Sequence, residues 1–127
     1  MILKDDFYTI TELTEEEHAV RATLELNPEH RIFKGHFPGQ PVVPGICMIQ
    51  IIKEILQTVT TKSLMLKQSD HIKFLSVIDP AAGQQVQADV QYSYKEKDEW
   101  MVAATLRCGE RICFKLKAVF VLFLFPD

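Results

Sequence analysis

The sequence predicts an α+β domain in which an antiparallel sheet of about six strands wraps around one long central helix. Three observations carry this. Most of the chain alternates apolar and polar residues with the period of two expected of half-buried strands. A single long segment carries apolar residues at helical spacing, over most of its circumference. The 127 residues suit one compact unit, so a helix too apolar for an open surface has to be enclosed by the sheet.

Taken in order, Phe7 to Leu13 alternates loosely and reads as a first strand, with Glu15, Glu16 and Glu17 as a solvated turn. From His18 to Leu26 the pattern sharpens. Val20, Ala22, Leu24 and Leu26 fall on one side, and Arg21, Thr23 and Glu25 on the other. Asn27 and Pro28 end this strand. The stretch from Glu29 to Gly45 contains Gly35, Pro38, Gly39, Pro41, Pro44 and Gly45. That density predicts a stiff loop without helix or regular strand, the kind of loop that often carries function.

The helix is expected from Gly45 to Thr60. Pro44 and Gly45 stand at its start, where missing or unpaired amides cost least. Ile46, Met48, Ile49, Ile51, Ile52, Ile55, Leu56 and Val59 are its apolar positions. Gln50, Lys53, Glu54 and Gln57 form its one polar stripe. Four further strands are expected: Ser63 to Ile78, Gln84 to Lys95, Trp100 to Cys108, and Arg111 to Phe125. Asp79 to Gly83, Lys95 to Asp98, and Gly109-Glu110 are the turns between them. With no repeat or linker, residues 1–127 read as a single domain.

Composition excludes several function classes. Apolar residues make up 47%, charged residues 24%, and the formal net charge is −3. No basic run offers nucleic-acid phosphates a footprint. The N-terminal segment turns acidic where a secretory leader is apolar. The apolar run from Ala118 to Phe125 is too short to cross a bilayer as a helix. The expectation is a cytoplasmic protein without a membrane span. Cys47, Cys108 and Cys113 are odd in number and lack metal-like spacing, so they are expected to be free, mostly buried thiols.

The segment Gly35-His36-Phe37-Pro38-Gly39-Gln40-Pro41-Val42-Val43-Pro44-Gly45 resembles the GHFPGxPxxPG signature of (3R)-hydroxyacyl-ACP dehydratases of the FabA/FabZ type. The similarity continues through the helix and resumes at His71-Ile72-Lys73-Phe74 and at Asp79 to Gly83. The resemblance implies a hotdog fold, usually as a homodimer or larger homo-oligomer with sites at the subunit interface. It further implies an acyl tunnel beside the helix and a substrate carried by the phosphopantetheine of an acyl carrier protein. Neither cofactor nor metal is implied.

Dehydration of a 3-hydroxyacyl thioester needs a base at C2, a donor to the thioester oxygen, and an acid for the departing hydroxyl. His36 suits the base, because an imidazole is partly unprotonated near neutrality. The N–H of Gly45, at a helix N-terminus, suits the oxygen donor. The resemblance puts Phe37, Pro38, Gly39 and Pro44 around the substrate. The acid is where this chain departs: Gln50 stands fourteen residues after His36, where the family has an acidic residue. A glutamine can donate a hydrogen bond or hold a water but cannot give up a proton. Glu54 lies one turn further, about 5 Å along the axis, too far to replace that acid without rearrangement. His18, His30 and His71 read as surface residues, and Arg31, Lys34 and Lys53 as a solvated flank that could also greet an acidic carrier protein.

Three readings stay open: a dehydratase; an acyl-binding or partner subunit of low activity, half of a heterodimer whose other half holds the acid; and a hotdog thioesterase in which Gln50 positions a water.

Overall fold

The computed structural model describes residues 1–35, 39, 41–83 and 85–123. Its strands are β1 (Tyr8–Glu16), β2 (Ala19–Leu26), β3 (Leu64–Phe74), β4 (Val86–Lys95), β5 (Glu99–Cys108) and β6 (Arg111–Leu122). A short helix α1 (Arg31–Gly35) and the long helix α2 (Gly45–Thr60) lie between β2 and β3. One antiparallel sheet results, with strand order β1-β2-β4-β5-β6-β3. After α2 the chain crosses to the far side, so β3 becomes an edge strand beside β6.

The period-two pattern sets which face meets the helix. Val20, Ala22 and Leu24 of β2, Val86, Ala88 and Val90 of β4, and Trp100, Val102, Ala104 and Leu106 of β5 are buried. Phe114, Leu116, Ala118 and Phe120 of β6 complete this inner face. Cys47, Met48, Ile51, Ile52, Ile55 and Leu56 of α2 join them in one core. Each large side chain so enclosed contributes about 1.5–3 kcal/mol relative to exposure. The helix runs over the residues its apolar spacing predicts.

Three expectations need correction. Glu15 and Glu16 belong to β1, and the turn is Glu17-His18, with His18 at φ 62°. Most of β1 beyond Ile10 is exposed, so no buried face imprints a pattern that would mark where the strand stops. The stretch after Glu29 contains a helix after all, because α1 ends at Gly35, before the first proline of the run. His30, expected at the surface, is buried at 5% exposure. Its Nδ1 accepts from the N–H of Ile32 (3.1 Å), and its Nε2 lies 3.1 Å from an Asp6 carboxylate oxygen. Its ring meets Phe7 edge-on. That imidazole caps α1 and is satisfied on both nitrogens, which is what burial requires of a polar ring.

The remaining boundaries differ little. The expected strand from Ser63 to Ile78 stops at Phe74. Leu75 and Ser76 leave the ladder, both donating to the carbonyl of Cys113 (2.9 and 3.3 Å). The turn after it is one 3₁₀ turn, Pro80–Ala82, capped by the Asp79 carboxylate on the N–H of Ala81. All three cysteines are free and buried, as expected. Among the described residues no helix is long and apolar enough to cross a membrane.

Candidate functional site

The N-terminus of α2 is where sequence and geometry converge. Pro44 has extended backbone (φ −63°, ψ 148°) and its carbonyl accepts from Cys47 and Met48 (3.0 and 3.3 Å). Val43 donates to Ile78 (2.9 Å), tying the segment before the helix to the one after β3. No side chain caps the helix. Among the described residues the N–H groups of Gly45 and Ile46 have no acceptor. Such amides carry the positive end of the helix dipole and suit an oxygen that gains negative charge.

Gly45 is fixed by space rather than by backbone conformation, since its φ is not in the left-handed region. A Cβ there would lie 2.7 Å from Cζ and 2.8 Å from Cε1 of Phe74. The Phe74 ring stacks at 5.3 Å on buried Phe114, yet is 57% exposed. Around it Ile46, Ile72, Leu75 and Val77 are exposed as well. Ile72 and Phe74 pair with Leu116 and Phe114, so they lie on the inner face of the sheet, but this chain's own helix leaves them open. An apolar set of this size next to free helix amides is what a ligand or a partner surface covers.

His36, Phe37 and Pro38 of the motif lie outside the described residues, between the end of α1 at Gly35 and Gly39. Gly39 has φ 91° and is exposed, a conformation open mainly to glycine.

Gln50 is half-buried and fully engaged on its nitrogen. Nε2 donates to the carbonyl of Met1 (2.8 Å) and to Oε2 of Glu54 (2.7 Å). An amide has two N–H donors, so both are spent. Only Oε1 is left, and it can accept from a hydroxyl or water but not donate.

Glu54, read from sequence as part of a polar stripe, is 4% exposed. Its Oε2 accepts from the N–H of Leu3 (2.8 Å) as well as from Gln50, and its Oε1 accepts from the N–H of Lys4 (2.8 Å) and from the hydroxyl of Tyr8 (2.9 Å). Four donors on one carboxylate satisfy its lone pairs. Burial and then the Glu54 charge raise the Tyr8 phenol well above its ordinary range, so it stays a donor. Glu54 thus clips the N-terminal turn onto α2 and has no lone pair left for a substrate. Its signal in the sequence was faint: an acid one turn after Gln50 on a helix that is otherwise apolar.

The network continues outward. Asn27 donates to Asp6 and receives from Glu29, and Asp6 in turn holds His30. A chain of polar contacts therefore runs from the middle of α2, through the N-terminal turn, to the cap of α1, whose last residue is joined directly to His36.

Residues 12–108 match the family model described as ApeI-like, ApeI dehydratase. A 3-hydroxyacyl-[acyl-carrier-protein] dehydratase FabZ of Novosphingobium aromaticivorans is 31% identical over 81 residues, 64% of this chain and 49% of that protein. The FabZ of Legionella pneumophila is 24% identical over 63% of this chain and 59% of its own length. The chain thus aligns with about half to three fifths of these relatives. Among solved structures, the dehydratase heterocomplex ApeI:P from Xenorhabdus doucetiae superimposes with TM-score 0.71 at 20% identity, covering 88% of this chain and 96% of that one. A protein of Erwinia carotovora gives 0.67, also at 20%, over 90% and 93%. The six-stranded sheet with its helix is the hotdog fold.

Proposed function

Since this chain belongs to the ApeI-like dehydratase family, we propose that it removes water from 3-hydroxyacyl thioesters presented by an acyl carrier protein, in the cytoplasmic synthesis of acyl chains. One observation supports this most: a helix N-terminus whose Gly45 and Ile46 amides have no acceptor among the described residues, preceded in sequence by the motif that carries His36 and flanked by exposed apolar side chains. In this reading the N–H of Gly45 holds the thioester oxygen. That lowers the cost of negative charge as the C2 proton leaves. His36 takes this proton, and the resulting imidazolium returns it to the C3 hydroxyl, which departs as water while the C2–C3 double bond forms. Phe37, Pro38, Gly39 and Pro44 shape the wall around the thioester. Gln50 can orient the hydroxyl or a water through Oε1 only, so no proton comes from it.

We further propose a second copy of the chain as the cover for the inner face of β3. Strand-edge pairing together with apolar closure over Ile72, Phe74 and Val77 would enclose the acyl chain between subunits.

The test is incubation of purified protein with a 3-hydroxyacyl carrier thioester and detection of the 2-enoyl product. Turnover is expected, falling by a factor of about a hundred or more in His36→Ala, the usual scale for loss of a general base. Absence of product at high enzyme concentration would remove the reading, and free acid plus free thiol would replace it with hydrolysis.

A second reading is favoured by the two spent donors of Gln50: a subunit whose acid comes from a different chain. In that case the protein alone turns over slowly, and a dehydratase homologue carrying an acidic residue at the Gln50 position restores the rate on mixing.

A further inference from the structure

On the outward face of the sheet, opposite the helix, a groove of about 460 Å³ lies across β3, β6, β5 and β4. Its floor is Ala103 and Thr105, residues too short to fill it. One wall is cationic. Lys73 stands opposite Lys115 and His71 opposite Lys117 in the β3–β6 register, and all four side chains are exposed.

Like charges directly opposite each other across a strand pair, as at Lys73 and Lys115, are destabilising. Neighbouring strands are about 4.8 Å apart, and alternate residues of one strand about 7 Å apart. The four groups therefore spring from a rectangle of about 5 by 7 Å. Among the described residues none of the four has a carboxylate within ion-pairing distance. Asp89, the acid that lines the facing wall, is already held by Arg21 (3.0 Å) and Arg107 (3.3 Å). In a chain of net charge −3, this concentration of positive charge runs against the overall balance.

We propose that this groove is a second binding site, separate from the α2 entrance, that takes a phosphate group between Lys73, Lys115, Lys117 and His71. A compact dianion matches four donors gathered in so small a rectangle, whereas the carboxylates of an acidic protein surface are spread more widely. A phosphate alone leaves much of the groove empty. Thr105 and Gln91 line the rest and offer hydrogen bonds to the polar part of a phosphoester.

The test is a titration of the ¹⁵N-labelled full chain with inorganic phosphate and, separately, with adenosine 3′,5′-bisphosphate, in about 150 mM salt, where loose surface attraction is screened. Saturable shifts of the amides at 71, 73, 103, 105, 115 and 117 are expected, with a dissociation constant below about 1 mM. Equal affinity for the two probes identifies free phosphate as the ligand. At least tenfold tighter binding of the bisphosphate identifies an organic phosphoester. Lys73→Gln with Lys115→Gln, two exposed substitutions that leave the core alone, should weaken binding at least tenfold. No saturation up to about 10 mM, or unchanged affinity in the double variant, overturns the proposal. Either result leaves the dehydration assay untouched.

Discussion

At the scale of single residues, Gln50 is the most informative position. Replacing it by glutamate introduces the acid that the resemblance implies at this position. The geometry predicts a cost: the new carboxylate would face Oε2 of Glu54 and the carbonyl of Met1, where two N–H donors now sit. Two carboxylates in contact cannot both ionise cheaply, so they share a proton and the pair titrates at raised pKa. A raised folded-state pKa gives stability that is intact below the unfolded carboxylate range and lost as pH rises through the folded one. Gln50→Glu should therefore be less stable than the parent by roughly 2 kcal/mol near neutrality and approach it near pH 4 in urea unfolding. A variant equally stable at both pH values would contradict this geometry. Cys108 offers a second pH signature. Burial first, and then the neighbouring Cys113 thiol, push its thiol up from 9.0 to about 11. The folded state keeps it neutral, so its stabilising share is present below pH 9 and fades as pH approaches 11. Cys108→Ala should flatten that alkaline limb in thermal melts, and the thiol should alkylate slowly at pH 8.

At the scale of elements, the polar chain from α2 to α1 is the feature composition could not announce. Glu54→Leu would leave the N–H groups of Leu3 and Lys4 and the hydroxyl of Tyr8 without their acceptor. Each stranded buried group costs about 1–3 kcal/mol. A loss of about 3 kcal/mol or more is expected, read as a melting temperature lower by roughly 10 °C. Faster hydrogen exchange should be concentrated in residues 3–8. His30→Ala should cost about 1 kcal/mol by removing the cap of α1, while His30→Asn, which can still cap, should recover most of it. These elements also show what a sequence can and cannot convey. The helix from Gly45 to Thr60 and the inner face of β2 were legible because burial imprints a period on side chains. The end of β1, the burial of His30 and the engagement of Glu54 were not, because a solvated strand leaves no period and a satisfied buried acid is spelled like an exposed one. At the candidate site the pairing of Pro44 and Gly45 with a helix start was legible. The closeness of Phe74 to Gly45, twenty-nine residues apart in the chain, was a matter of topology.

At the scale of the whole molecule, the inner face of β3 is the surface the proposed function depends on. Ile72→Lys puts a charge there without touching the enclosed core. It is expected to shift sedimentation from two copies toward one and to lower dehydration in parallel. Unchanged sedimentation would argue against a second copy as the cover. The two edges of the sheet are unlike. β1, with Glu12, Glu15 and Glu16 in solvent, repels another strand, as charged edges do. β3 carries exposed lysines too, Lys67 and Lys73, but its inner face adds the exposed apolar side chains of Ile72 and Phe74. In the proposed pairing only the β3 edge is used, so the sheet extends once. When two receptive edges meet about a twofold axis both are consumed, and what remains outward on either side is acidic. In that proposed arrangement growth would end in a closed pair rather than an open filament.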